Sequence, residues 1–294
     1  VPLNHLLLAV LITFIWGTNF VVIKFGLNAF PPFLFATLRF LASTVPWIFF
    51  IRRPAVPWRT LATVGVLLGA GQFGLLFFAM RRDITPGLAS LLMQSQVFFT
   101  IVLALLIKRE SIRPLQVMAL ALALVGVALI GWHTLGRADA NITGLGFSLV
   151  LGAALSWAVA NLVVKSTGRV NMLAFMVWCS LFAVLPLALL ALWADPVPEL
   201  LSAIRSAGLA AWVAVIWQAV GNTLIGFGVW NWLLLRHPAT SVAPLALLVP
   251  VFGMSAAAIV LGEALPAWKV IAAGLILAGL SLNFIAAGAT RRAA

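Results

Sequence analysis

The sequence holds one cysteine, three histidines and six acidic residues in 294. With only Cys179 present, no disulfide can close within the chain and a cysteine-rich metal site is excluded. His5, His133 and His237 stand apart at the ends of apolar runs, and neither H-E-x-x-H nor G-x-S-x-G occurs. All six carboxylates fall at the ends of apolar runs or between them, so no acid–base pair is available inside one. No glycine-rich phosphate loop is present, which removes ATP as an energy source. These absences argue against an enzyme and imply no cofactor and no metal.

Charge as a whole is scarce. Charged residues make up 8% of the chain and hydrophobic ones 64%, with a mean hydropathy of +1.17, whereas soluble domains carry about 25% and about 45–50%. A soluble fold of this composition would have almost nothing polar to cover its surface. The solvent for most of the chain is lipid. Eighteen Lys and Arg against six acids give a net +12, but they sit singly or in twos and threes between apolar runs. No basic stripe forms, so nucleic acid is excluded as a partner and the charges read as topology signals.

A helix crosses the hydrocarbon core with about 20 apolar residues. Ten runs fit, near 5–27, 32–51, 59–80, 85–107, 114–132, 144–165, 172–193, 208–235, 238–261 and 266–287. The first is too long for a signal-peptide core and lacks a cleavage site, so it reads as a retained span. The longest breaks, 133–143 and 194–207, are too short for a soluble domain. With Arg39 set aside inside span 2, alternate loops collect eleven basic residues on one side: Arg52, Arg53, Arg59, Lys108, Arg109, Arg113, Lys165, Arg169, Arg236, Arg291 and Arg292. The other side has six: Lys24, Arg81, Arg82, Arg137, Arg205 and Lys269. The excess predicts a multi-pass protein with both termini in the cytoplasm, although Arg81-Arg82 goes against the trend.

The halves match in order. Trp16 to Lys24 of span 1 aligns with Trp157 to Lys165 of span 6, Gln96-Val97-Phe98 with Pro250-Val251-Phe252, and Glu110 with Glu263. The chain therefore reads as two five-helix units, 1–135 and 136–294. Five is odd, so the second unit enters the membrane upside down, and an inverted repeat predicts a central cavity near the midplane with alternating access.

Four stretches carry a family resemblance: Trp16-Gly17-Thr18-Asn19-Phe20-Val21-Val22-Ile23-Lys24; Pro31-Pro32 with Leu38-Arg39-Phe40; Gly87-Leu88-Ala89-Ser90-Leu91; and Val242-Ala243-Pro244-Leu245 through Leu248-Val249-Pro250-Val251. Over essentially its whole length the chain resembles the EamA family of the drug/metabolite transporter superfamily. It is similar to bacterial exporters of cysteine and O-acetylserine and to YddG-type exporters of aromatic amino acids. Lys108-Arg109-Glu110 departs from the family in lacking a Gly before the Glu, which affects a loop. The resemblance implies an all-α membrane protein of ten helices around a cavity lined by spans 1, 3, 4, 6, 8 and 9. It also implies export of small neutral metabolites across a bacterial inner membrane.

Polar side chains inside lipid are costly and face a cavity or another helix. The candidate substrate-binding residues are Trp16, Asn19 and Phe20 in span 1, Gln72 in span 3, and Met93, Gln94 and Gln96 in span 4. Trp157 and Asn161 in span 6, Gln218 and Asn222 in span 8, and Pro250 in span 9 complete the set. Amides donate to a carboxylate and accept from an ammonium, and aromatics cover an apolar side chain or a cation. That mixture suits a zwitterionic amino acid. For any single amide, a helix-to-helix hydrogen bond is the competing account.

Arg39 reads either as a carboxylate clamp or, the reading preferred because the family keeps span 2 off the cavity, as a support for the fold that reaches the outer interface or pairs with carbonyls. Lys24 and Lys165 close spans 1 and 6 as snorkelling cations or as gates, and snorkelling is the simpler account. Pro244 and Pro250 break span 9, Gly221, Gly226 and Gly228 loosen span 8, and Gly65 with Gly69 makes a G-x-x-x-G for close helix approach. A carrier of phosphorylated sugars would place Lys or Arg in the cavity, and the inventory has none. The expected partners are a small-molecule substrate and the bilayer, and a monomer suffices.

Overall fold

The computed structural model describes residues 1–108, 114–134, 142–168, 170–237 and 242–292. Arg109, Glu110, Arg113, Arg137 and Arg169, used above for topology and repeat, lie outside the described residues. Among the described residues the fold is all helical apart from a single bridge between Ile84 and Ile142. In chain order the helices are α1 (Leu3–Ala29), α2 (Pro32–Thr44), α3 (Trp58–Val66), α4 (Leu75–Arg82), α5 (Pro86–Leu92), α6 (Ser95–Lys108) and α7 (Pro114–Thr134). They continue as α8 (Gly144–Lys165), α9 (Met172–Ala194), α10 (Val197–Ser206), α11 (Leu209–Ile216), α12 (Gly226–Arg236), α13 (Leu248–Leu261) and α14 (Ala267–Arg292). Two π-helical segments join pieces of single rods: Leu67–Gly74 links α3 to α4, and Trp217–Ile225 links α11 to α12.

Eight stretches among the described residues are long and apolar enough to cross a membrane. The two other expected spans are shorter as continuous helix, and both are shortened near a proline. α2 ends at Thr44 and runs on as turns to Phe50, because Pro46 has no N–H to donate four residues back to Ala42. The Trp47 indole donates to that Ala42 carbonyl instead, at 3.1 Å. The apolar helix of the ninth run covers Leu245–Leu261, with a 3-10 turn over Ala243–Leu247 ahead of α13. The break at 194–207, read from sequence as loop, contains α10. It is a short helix with Glu199 in its first turn and Arg205 in its last, each at the end its charge favours.

Large apolar side chains cover the outside, as a lipid solvent allows: Ile259 is 83% exposed, Trp193 82% and Leu185 66%. α1 packs along α13, α6 along α8, α2 along α9 and α7 along α14. α8 also lies on the first π segment, while α11, the second π segment and α12 lie on α1. The G-x-x-x-G permits the approach of α3 and the first π segment to α9: a methyl added at Gly65 would collide with the Cys179 carbonyl, and one at Gly69 with Ala183.

One end of the bundle is laced by polar contacts. The Lys24 ammonium donates to the carbonyls of Met80 and Arg81 at 3.3 and 3.2 Å. Thr143 donates to Asp83 through its hydroxyl and its N–H, both at 2.8 Å, and Arg81 lies 3.8 Å from Asp195. The Glu263 carboxylate accepts from Thr85, from the Gly87 N–H at 3.0 Å and from Lys269 at 2.8 Å. Lys269, read from sequence as a loop cation, is fully buried in this pair. Gly262, at φ 67°, makes the left-handed turn that brings Glu263 back over α13.

Candidate functional site

Where the helices are interrupted, they enclose a central cavity of about 350 Å³. The first π segment contributes Gln72 and Phe73, and the second contributes Asn222. The α5–α6 junction, where Gln94 bonds back only three residues to Leu91, contributes Met93, Gln94 and Gln96. α1 supplies Trp16, Asn19, Phe20 and Ile23, and α8 supplies Trp157 and Asn161. A π turn displaces one residue from the helical ladder, which turns side chains and frees backbone groups, and such turns concentrate at functional sites. Here the freed groups find side chains. Ser156 donates to the Leu67 carbonyl at 2.9 Å, Thr223 to that of Gln218 at 2.9 Å, and the Trp16 indole to that of Asn222 at 3.1 Å.

Ten of the expected substrate-binding residues line this space: Trp16, Asn19, Phe20, Gln72, Met93, Gln94, Gln96, Trp157, Asn161 and Asn222. Two do not. Gln218 is fully buried and exchanges amide hydrogen bonds with Asn19, at 2.7 and 3.4 Å. Pro250 is buried outside the lining, and its effect falls one turn earlier. It cannot donate to the Ala246 carbonyl, and the Gln94 amide reaches that oxygen at 3.5 Å while Ala246 itself lines the cavity. Asn161 donates to Gln96 at 2.9 Å across the cavity wall.

The three basic residues singled out lie off the cavity. Lys24 belongs to the laced end, and Lys165 is exposed at the last turn of α8. Arg39 stays inside at 1% exposure and reaches no interface. Its Nη2 donates to Thr223 at 2.7 Å, and its guanidinium carbon lies 3.8 Å from the Phe73 ring centre and 4.7 Å from that of Phe40.

Sequence reasoning did not single out Phe73, Phe227, Trp230, Met172, Ser90 or Val249, which also line the cavity. The aromatic members resemble every other aromatic in an apolar run. Phe227 and Trp230 gather around Trp16, whose ring lies 5.4 Å from Phe227 and 5.1 Å from Trp230, a grouping that spans more than 200 residues and left no sequence signal. The lining is graded in exposure. Ile23, Leu76 and Ser90, towards the Glu263 end, are each 1% exposed, whereas Gln96, Asn161, Met172 and Trp230 are half-buried. The more exposed part of the lining therefore lies at the end where α8 finishes and α9 begins. A second depression, of about 490 Å³, follows one face of α10 and is lined by that helix alone, so it encloses nothing.

An uncharged cavity of this size at the centre of an apolar bundle is the candidate site of this protein. The EamA-like transporter family model matches residues 3–132 and again residues 144–285. The chain belongs to this family. As an EamA-like protein it is a multi-pass membrane transporter and not an enzyme. It is 38% identical to a "probable amino-acid metabolite efflux pump" of Salmonella typhimurium over 94% of this chain and 93% of that protein. A protein of the same name from Escherichia coli is 36% identical over the same shares. A solved crystal structure, 19% identical and covering 99% of each chain, superposes with a TM-score of 0.65 and so shares the fold.

Proposed function

We propose that this EamA-like chain exports small neutral, zwitterionic amino acids and related metabolites, aromatic ones included, from the bacterial cytoplasm by alternating access through the central cavity. The observation that carries the reading is the lining. Six amides face the space beside aromatic rings, and no charged side chain does among the described residues. Amides meet both ends of a zwitterion, while a phosphorylated substrate calls for fixed cations. About 350 Å³ lies within the range of small-ligand sites, which begins near 300 Å³. The efflux-pump names of the relatives point the same way.

Alternating access is supported by paired features in 1–135 and 136–294, the two proposed five-helix units. Both halves carry a π segment with a lining amide, Gln72 and Asn222. Both break the following helix near aligned positions, at Met93–Gln94 and at Leu247–Leu248. The packing pairs also exchange: α1 on α13 becomes α8 on α6 when the halves are swapped. Ten helices as two inverted repeats account for all three. With the more basic loops in the cytoplasm, the cavity faces the side from which an exporter loads.

The test is efflux and exchange of radiolabelled phenylalanine, cysteine and O-acetylserine in liposomes holding the purified protein, with Trp157→Ala and Gln96→Ala as controls. Saturable flux that these variants lose is the expected outcome. No flux of any of them in folded protein, with or without a pH gradient, overturns the reading in favour of other metabolites or drugs.

A further inference from the structure

Among the described residues Arg39 is a charge without a counter-ion. Among the described residues the ion pairs are Arg81 with Asp195 and Lys269 with Glu263, and neither involves it. Its Nη2 has the Thr223 hydroxyl, while Nε and Nη1 are buried and have no hydrogen-bond partner among the described residues. The rest of its surroundings are aromatic: Phe73 at 3.8 Å, Phe40 at 4.7 Å and Phe77 at 6.0 Å from the guanidinium carbon. Ring faces and one hydroxyl attract a cation but do not replace the acceptors that water would give it. A buried guanidinium held so incompletely is suited to binding an anion.

The way to that anion is short. Phe73 lies on the guanidinium and also lines the cavity. Thr223, on the other flank, is the neighbour of the lining residue Asn222 in the second π segment. Arg39 thus sits between the two π segments, one turn of the Phe73 ring from the chamber. In the other half, the aligned stretch of α9 holds Cys179 and Ser180, so the charge occurs once.

We propose that Arg39 is the residue by which the carrier selects a carboxylate. The substrate carboxylate turns Phe73 aside and accepts from one of the unpartnered nitrogens, Nε or Nη1, while the ammonium end remains among the amides of Gln72, Gln96 and Asn161. Carboxylate and guanidinium neutralise each other in the low-dielectric interior, so an amine or carboxamide lacking that charge binds more weakly. The inference rests on the amino-acid transport reading for its substrate. It is tested by binding, so that the two can fail separately.

Phenylalanine and serine are titrated, each against its own carboxamide, into purified wild-type, Arg39→Lys, Arg39→Gln and Phe73→Leu proteins. Binding is followed by tryptophan fluorescence, because Trp16, Trp157 and Trp230 line the cavity, and each pair is also run as competitors of liposome flux. Wild type is expected to prefer the acid by about tenfold, the discrimination of one charge-assisted contact. Arg39→Gln should weaken acid binding to the level of the carboxamide without changing carboxamide binding. Arg39→Lys should retain most of the preference, and Phe73→Leu should keep it with faster binding. Equal binding of acid and carboxamide by wild type overturns the proposal, as does a loss in Arg39→Gln that affects both alike. If Arg39→Gln does not fold, the Arg39→Lys and wild-type preferences decide. Acid-selective binding without flux overturns the transport reading and leaves the Arg39 proposal standing.

Discussion

The two ends of the bundle use polar residues in opposite ways. At the Glu263 end, charges and hydroxyls bind one another and the backbone, and Ile23, Leu76 and Ser90 close the cavity beneath them. At the Met172 end, the amides of Asn161 and Gln96 meet in a single hydrogen bond, and the lining is half-open. Polar contacts therefore close one end of the cavity, while those at the other leave the lining half-open. Under the proposed alternating access a carrier switches by exchanging these conditions, and contacts at the closed end then bias a conformational equilibrium as well as supporting the fold.

The comparison breaks most severely at Glu263. Glu263→Gln leaves Lys269 buried without its anion, a defect worth about 3–5 kcal/mol, and thermal unfolding in detergent should fall accordingly. The double variant Glu263→Gln with Lys269→Met should recover much of that loss, because no lone charge remains. The next largest effect is expected at the open end. Gln96→Leu removes the partner of Asn161, and flux should drop about tenfold, equivalent to about 1.4 kcal/mol, with a smaller change in unfolding temperature.

Labelling sharpens the contrast. In a Cys179→Ala background, Asn161→Cys and Met172→Cys should react with a membrane-impermeant maleimide from one side of the membrane, while Ile23→Cys and Leu76→Cys stay protected. Labelling of all four at equal rates would remove the assignment of open and closed ends. A milder change is Lys24→Met, which deletes two hydrogen bonds to carbonyls, each worth about 1 kcal/mol net. It should raise labelling at Ile23→Cys.

The smallest effect is one of pH at the open end. His5 and His237 share a 2.7 Å hydrogen bond, beside Trp232 at 4.9 Å from the His5 ring. Desolvation, and then the charges of His5, the amino terminus and Arg236, hold His237 below the ordinary imidazole value of 6.5. The folded state thus resists protonation there, and the contact is intact above about pH 6.5 and weakens as pH falls below it. Tryptophan emission should change over that range in wild type and not in His5→Phe.

Much of the cavity was legible because an amide in an apolar run has few places to go. Gln72, Gln94, Gln96, Asn161 and Asn222 all reach the lining. The same rule named Gln218 but could not tell a cavity from a neighbour, and this amide is turned to Asn19. Pro250 was legible as a break, although the group it frees is the carbonyl of Ala246. Phe73, Phe227 and Trp230 were not legible, since sequence does not separate aromatic rings facing lipid, core or substrate. Lys269 and Glu263 looked like loop charges because their burial depends on how the turn at Gly262 folds over α5.

Sequence by itself determined the solvent, the approximate positions of the spans, the family resemblance and the kinds of group that line the cavity. Those follow from transfer free energy and composition, which are local properties of each segment. Only the tertiary structure decided which end is shut, where the two π turns fall, which amides pair with each other, and that Arg39 lies behind Phe73. Each of these depends on a partner more than thirty residues away, and a side chain's role inside the bundle is set by the helix it faces.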